Sequence, residues 1–277
     1  MNSRRFRVSL NESGDTLIDF LTLHGRSSRK KAKSLLDRRS VFINGRRIWM
    51  ARHTLETGDI IEIAETPQIP PGPASAIILF QDADYLIADK PIGILANGPH
   101  SLETRLQTTL DIPSLMAVHR LDRGTSGCLL FAKNAAAQQR ILPLFSGRKI
   151  KKFYHALVTG LIPKQRFSIT KPIDDQPALT DILVLDANRQ ASHLRIVIHT
   201  GRTHQIRKHL TAIGHPILGD PYYATRREIS PLERCLQRPM LHAFRLSFIH
   251  PITGIPVRCT APLPSDFRQG LVLLHLR

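Results

Sequence analysis

The sequence predicts an α+β chain: a mixed domain built on a mostly antiparallel sheet, preceded by a smaller α/β domain. Three observations lead there. Across residues 76–277 short apolar or alternating segments predominate, helices fall between them irregularly, and no doubly wound repeat appears. Across residues 7–64 two helical segments run into a hairpin and a further strand. Between the two lie residues 65–75, with Pro67, Pro70, Pro71 and Pro73 and almost no apolar content, which read as an extended spacer.

In the first domain, Thr16–His24 places Leu17, Phe20, Leu21 and Leu23 at mostly helical spacing, with Asp15 or Thr16 as N-cap. Ser28–Asp37 reads as a second helix, Ala32, Leu35 and Leu36 on one face and Arg29, Lys30 and Lys33 on another. Val41–Ile43, the turn pair Asn44-Gly45 and a return through Ile48 form a hairpin signal, and Gly58-Asp59 turns the chain into Ile60–Ile63. Between Arg26 and Arg52 stand ten Lys or Arg, among them Arg38 and Arg39, and one acid, Asp37. Folding gathers that run onto one surface.

The whole chain shares this bias. Thirty-nine Lys and Arg against 22 Asp and Glu leave a net charge of +17 over 277 residues and an isoelectric point near 10.6. Such an excess points to a polyanion as partner. Cys128, Cys235 and Cys259 are odd in number and far apart, which fits buried thiols in a reducing compartment and no disulfide framework. Met1–Leu10 has the arginines of a signal peptide's first region, but Asn11–Asp15 follows where an apolar core belongs, and no apolar run reaches membrane-spanning length. A cytoplasmic protein with no membrane partner is the expectation.

In the second domain Ile77–Phe80 and Tyr85–Ala88 read as strands around the turn Asp82–Asp84. Ser101 caps a helix through Leu110, and Asn134–Phe145 forms another despite Pro143. Lys151–Val158 alternates as a strand that carries Tyr154, a residue able to stack on a nucleobase or to sit half-buried with its hydroxyl at the surface. His193–Thr200 is a further strand. It leads through Gly201–Thr203 into a helix with Ile206, Leu210 and Ile213 as its apolar stripe, stopped at Gly214. Arg207 adjoins that stripe, and an arginine partly buried there needs an anion. Ala261–Pro264 closes the fold in this reading. The histidines offer no ligand spacing with Asp or Glu, so no metal is expected.

The chemistry gathers at His119–Gly127, reading His-Arg-Leu-Asp-Arg-Gly-Thr-Ser-Gly. Asp122 stands between Arg120 and Arg123, Gly124 and Gly127 permit a sharp turn, and Cys128–Phe131 resumes as a buried apolar run. Locally a carboxylate under cationic cover reads equally as a nucleophile kept ionised and as a salt-bridged turn.

Together with Asp89–Gly93, Lys151–Gly160, Gly201–Leu210, Gly214–Tyr223 and Leu241–Gly254, in this order, this stretch resembles the RluA-type pseudouridine synthases over most of residues 76–264. Residues 7–64 resemble the small RNA-binding domain of the ribosomal-protein-S-four type, through Ser28, the basic helix, Leu35-Leu36, Val41–Gly45 and Gly58-Asp59. The first resemblance implies a mostly antiparallel mixed sheet with flanking helices and a central cleft. It also implies isomerisation of uridine within RNA. The bond from sugar to ring nitrogen breaks, the uracil turns while bound, and ring carbon five joins the sugar, with neither cofactor nor metal. Asp122 matches the catalytic aspartate, which acts on sugar or base, and Arg207 its basic partner. Tyr154 matches a tyrosine packed on the uracil and linked to removal of the carbon-five proton. Arg120 matches an arginine that enters the RNA where the target nucleotide has left the stack, and His119 goes with it as an RNA contact. Thr125, Ser126 and Gly127 hold the loop's shape. The small domain's Arg29, Lys30, Lys33, Arg38 and Arg39 would grip structured RNA by shape and phosphates, ribosomal RNA before tRNA, with the protein a monomer. The short stretch from Gly93 to His119, Lys208 in place of a small apolar residue, and a loose match over Leu161–Asp181 depart from the pattern.

Two rival readings follow from the same residues. A non-catalytic RNA-binding or ribosome-assembly protein would have no use for Asp122, Tyr154 and Arg207 together. A glycoside hydrolase would want two carboxylates facing one sugar bond, whereas the central stretch offers one among cations.

Overall fold

The computed structural model describes residues 3–24, 28–37, 41–48, 50–64, 76–223, 236 and 238–277. The chain forms two compact units, Met1–Gln68 and Ile69–Arg277. Residues 65–75, Arg38, Arg39 and Cys235 lie outside the described residues.

The small unit contains β1 (Ser3–Arg7), α1 (Leu17–His24), α2 (Arg29–Asp37), β2 (Val41–Ile43), β3 (Arg46–Arg47) and β4 (Ile60–Ala64), its sheet ordered β1-β4-β2-β3. Leu17, Phe20, Leu21, Ala32 and Leu36 pack on Val41, Ile43, Ile61 and Ile63 in one core. Asn44 and Gly45 both take positive φ, +50° and +77°, as a two-residue hairpin turn of the primed type requires. Ser28 Oγ accepts from Lys31 N at the start of α2, where Arg29, Lys31 and Lys33 are exposed. Strand β1 begins before residue 7, where the sequence reading opened the domain. It is an edge strand rich in arginine, so it carries no apolar alternation; Arg5 pairs with Glu62 of the neighbouring strand at 3.1 Å.

The large unit is a ten-stranded mixed sheet. Along it run β10 (Arg166–Ile169), β11 (Thr180–Ala187), β12 (Ala191–Ile198), β9 (Lys151–Thr159), β13 (Leu241–Ile249), β8 (Ser126–Ala132), β6 (Tyr85–Lys90) and β5 (Ile77–Gln81). Strand β14 (Pro256–Thr260) adds to β13, and β7 (Met116–Ala117) to β8. Among the described strands only β8 and β13 pair in parallel. Both sheet faces are covered. Leu86, Ala88, Leu129 and Phe131 enter one core, and Tyr85, Ile87, Cys128 and Leu130 the other. Cover on both faces is why Cys128–Phe131 reads as an unbroken apolar run.

The helices among the described residues of this unit are α3 (Leu102–Leu110), α4 (Ala135–Ser146), α5 (Gln205–Ala212) and α6 (Ser265–Leu273). Ser101 Oγ accepts from Thr104 N and Asn134 Oδ1 from Ala137 N, capping the first two. The chain does not close at Pro264. Helix α6 follows and inserts Phe267, fully buried, into the larger core. Its N-cap is Pro264, with no side-chain cap, and Val272 and Leu273 face solvent, so neither a start signal nor a clean apolar stripe marks it in the sequence. Among the described residues no helix is long and apolar enough to cross a membrane.

Candidate active site

A pocket open to solvent lies beside the end of β12, walled by the loop 120–125 and the turn 201–204, with Tyr154, Ile206, Arg207 and Leu241 as further lining. Asp122, Tyr154 and Arg207, distant in sequence, meet there.

Asp122 sits in the loop between β7 and β8, on a turn closed by Thr125 N donating to Asp122 O at 3.0 Å. Arg207 rises from α5 with 3% of its surface exposed. Its Nη1 donates to Asp122 Oδ2 at 3.1 Å. The rest of the guanidinium is held by Asp220, Nε to Oδ2 at 2.6 Å and Nη2 to Oδ1 at 2.8 Å. Burial works to lower the affinity of Arg207 for its proton, but hydrogen bonds and charge from Asp220 and Asp122 outweigh it and hold the group above its ordinary value. A buried guanidinium facing two carboxylates remains charged and keeps one direction.

Helix α5 is itself tied down. Gln205 Nε2 donates to Leu179 O and Thr180 Oγ1, while its Oε1 accepts from Thr200 Oγ1 and Arg202 N. His209 contacts Thr180 Oγ1 and Lys171 O, and His215 contacts Thr159 O. These histidines pack and position.

The Asp122 loop is clamped from beneath by two buried basic side chains. Lys90 Nζ donates to Pro91 O and Ile94 O, both at 2.9 Å, and reaches Arg123 O at 3.5 Å. Burial pulls this amine down to about 7. Arg238 Nη1 donates to Pro239 O, Leu241 O and Gly124 O, and Asp266 of α6 holds its other nitrogens. Arg123 itself turns away from Asp122, its Nε donating to Gly93 O at 2.7 Å. Ser126 Oγ meets His242 Nδ1 at 2.9 Å, and Gly127, with φ +112°, ends the loop where β8 and β13 run side by side.

Tyr154 is buried beside Asp122. Burial first, then the Asp122 charge, raises its hydroxyl well above the ordinary phenol value, so at neutral pH it is a phenol. His204, at the first turn of α5 with φ +55°, also lines the pocket. Its Nε2 lies 3.7 Å from Asp122 Oδ1 and its Nδ1 meets Tyr223 Oη at 2.9 Å. Burial, then the Arg207 charge, push it down to about 4.

Arg120 is exposed on the pocket rim. His119, expected beside it as an RNA contact, instead takes a structural position. Its Nε2 accepts from Leu130 N at 3.1 Å, its ring packs on Phe145, and burial pushes it down to about 3. A backbone N–H inside β8, past the point where the short strand β7 stops pairing with it, needs an acceptor and accounts for that placement. Of the expected basic surface, Arg29 pairs with Asp19 at 2.7 Å and Lys33 is exposed.

Asp220, His204, Lys90 and Arg238 were not singled out from sequence. Asp220 and Lys90 do stand inside motif stretches, Gly214–Tyr223 and Asp89–Gly93; Arg238 carries no local signal. Elsewhere, Asp82, Asp84 and His250 come close enough for a cation. His250 Nδ1 accepts from Ile252 N and Thr253 N, which leaves the proton on Nε2, 3.0 Å from Asp82 Oδ2. That tautomer turns a neutral ring N–H toward Asp82 and leaves no free ring nitrogen to ligate a metal.

The chain is similar to known RNA pseudouridine synthases. The family model described as RNA pseudouridylate synthase matches residues 84–212, which include Asp122, Tyr154 and Arg207. The ribosomal large subunit pseudouridine synthase D of Escherichia coli (strain K12) is 30% identical over 97% of this chain and 93% of its own length. That of Pseudomonas aeruginosa is 32% identical over 72% and 71%. Among solved structures, human RNA pseudouridylate synthase domain containing 1 is 30% identical, with a TM-score of 0.58 over 69% of this chain and 85% of that one. The protein is thus an isomerase of the kind that converts uridine to pseudouridine in RNA. It belongs to the RNA pseudouridylate synthase family.

Proposed function

We propose that this chain forms pseudouridine at specific uridines of large-subunit ribosomal RNA, with Asp122 as its catalytic carboxylate. The observation that carries the reading is the division of labour on that pocket-lining carboxylate: Oδ2 is taken by Arg207, while Oδ1 lies 3.7 Å from Nε2 of His204, itself a pocket-lining residue. A substrate sugar or base entering there meets an oriented anion, and orientation governs rate more than intrinsic strength does.

The uridine turns out of the RNA to reach the pocket. Arg120, on the rim, stands where it can fill the space left in the RNA. Tyr154 offers a neutral ring against the uracil; as a phenol it packs rather than acting as a strong base. Once the bond from sugar to ring nitrogen is broken, the uracil is held between these walls until ring carbon five meets the sugar, and the proton that leaves carbon five is balanced by one gained at the freed nitrogen. All atoms of the uridine are retained. The ribosomal target follows the names of the relatives, large-subunit synthases similar over nearly the whole chain. Arg29, Lys30, Lys33, Arg38 and Arg39 supply the RNA grip of the small unit, and the protein works as a cytoplasmic monomer.

Asp122→Asn should abolish pseudouridine formation on a large-subunit rRNA transcript and leave RNA affinity intact; a variant that still modifies the RNA overturns the assignment. Mapping pseudouridines in ribosomal RNA and tRNA of cells with and without the gene locates the target, and loss confined to tRNA would refute the ribosomal one.

A further inference from the structure

Lys152 has no part in the site described so far. It stands two residues before Tyr154 on β9, so its side chain leaves the sheet on the same face. Its Nζ lies where a side chain on Gly201, a pocket-lining residue, would come within 3.8 Å of it, and 5.8 Å from the centre of the Phe145 ring that packs on His119. Lys152 therefore sits beside the pocket wall at Gly201, on the side of the Phe145 ring that packs on His119. Among the described residues no carboxylate, carbonyl or hydroxyl accepts from it, although other basic residues of the large unit are well paired: Lys90 has carbonyls, Lys208 has Asp174, and Arg207 has two aspartates. Burial holds the amine below its ordinary value with no anion to offset it.

A half-buried cation without a counterion costs stability in the free protein. Its natural complement is an anion that arrives with the substrate. For a nucleotide whose sugar is brought to Asp122, the nearest anions are the phosphodiesters on either side of that sugar, and they must pass over the rim. We propose that Lys152 binds a backbone phosphate flanking the target uridine and so fixes the nucleotide's depth in the pocket. This rests on RNA being the substrate. Arg120 on the rim and Lys152 beneath it would then divide the work, one at the gap in the RNA and one on the strand being drawn in.

The test uses the full chain and a large-subunit rRNA transcript, with pseudouridine formation followed at several potassium chloride concentrations. Lys152→Gln should lower kcat/KM about tenfold near 0.1 M salt, with kcat largely kept, and should flatten the plot of log kcat/KM against log salt by about one unit, as expected for the loss of one phosphate contact. Lys152→Arg should restore both values. Lys152→Met, isosteric along the stem, should raise the melting temperature of the free protein while showing the same kinetic loss. An unchanged salt slope in Lys152→Gln, an equal fall in kcat and kcat/KM, or failure of arginine to rescue would overturn the phosphate role. No product from the wild-type chain would instead refute the ribosomal RNA reading, and this inference with it.

Discussion

Asp220 holds Arg207 through two parallel hydrogen bonds of 2.6 and 2.8 Å, shorter than the 3.1 Å bond by which Arg207 meets Asp122. Asp220 grips Arg207 more tightly than Asp122, the proposed catalytic carboxylate, does, so Arg207 is aimed before substrate arrives and Asp122 keeps freedom to react. Asp220 also accepts from Tyr222 N and Tyr223 N and is wholly enclosed. Asp220→Asn should therefore lower both stability and rate. Breaking one side of a buried ion pair costs about 3–5 kcal/mol, reduced here because Asp122 still faces the guanidinium. We expect a depressed melting temperature and a fall in kcat that exceeds any rise in KM. Wild-type kcat in a folded Asp220→Asn protein would show that Asp122 needs no prealigned partner.

Gly127 admits no side chain. A Cβ there would stand 2.2 Å from Ala243 O, with φ at +112°, in the one parallel pairing among the described strands. Gly127→Ala should fail to fold or melt far below the wild type, because backbone and not a flexible side chain occupies the space. A melting temperature close to wild type would mean that β8 and β13 can separate at no cost.

Acid should destabilise the protein before most of its carboxylates protonate. Burial pushes His155 and His119 down to about 3, and His242 and His204 down to about 4. The unfolded chain takes up protons on the same side chains near 6.5. Their contribution is thus complete above about pH 6.5 and is lost as pH falls toward 4. Asp89, raised to about 6 by burial, works in the opposite direction over the same range, one group against four. Thermal melts should show a lower transition at pH 5 than at pH 7.5; an equal or higher one would contradict the buried neutral histidines.

The two units make a truncation informative. A chain of residues 69–277 retains the pocket and both cores of the large unit. It should bind rRNA more weakly, with a shallower salt dependence than the full chain, and still modify RNA at high enzyme concentration. The same salt slope in both chains would remove the small unit's basic residues from RNA binding.

Much of the architecture was legible because it follows from local physics. Asn44-Gly45 can only turn one way between Val41–Ile43 and its return strand, Ser101 and Asn134 cap the helices they precede, and Arg207 beside an apolar stripe had to find an anion. The segments that escaped notice lack such local marks. Strand β1 is an arginine-rich edge, and α6 has a proline at its N-cap and exposed Val272 and Leu273. Asp122, Tyr154 and Arg207 could be named from the order of their motifs. Which group orients which could not be. Arg123, adjacent to Asp122 in sequence, turns to Gly93, and His119 goes to Leu130 N. Asp220 takes most of Arg207, and Lys90 and Arg238 hold the Asp122 loop from below. Composition and spacing report what each short stretch can do alone. Partnerships across 85 residues, as between Asp122 and Arg207, arise only when the sheet brings the ends of β9 and β12 beside the loop that enters β8.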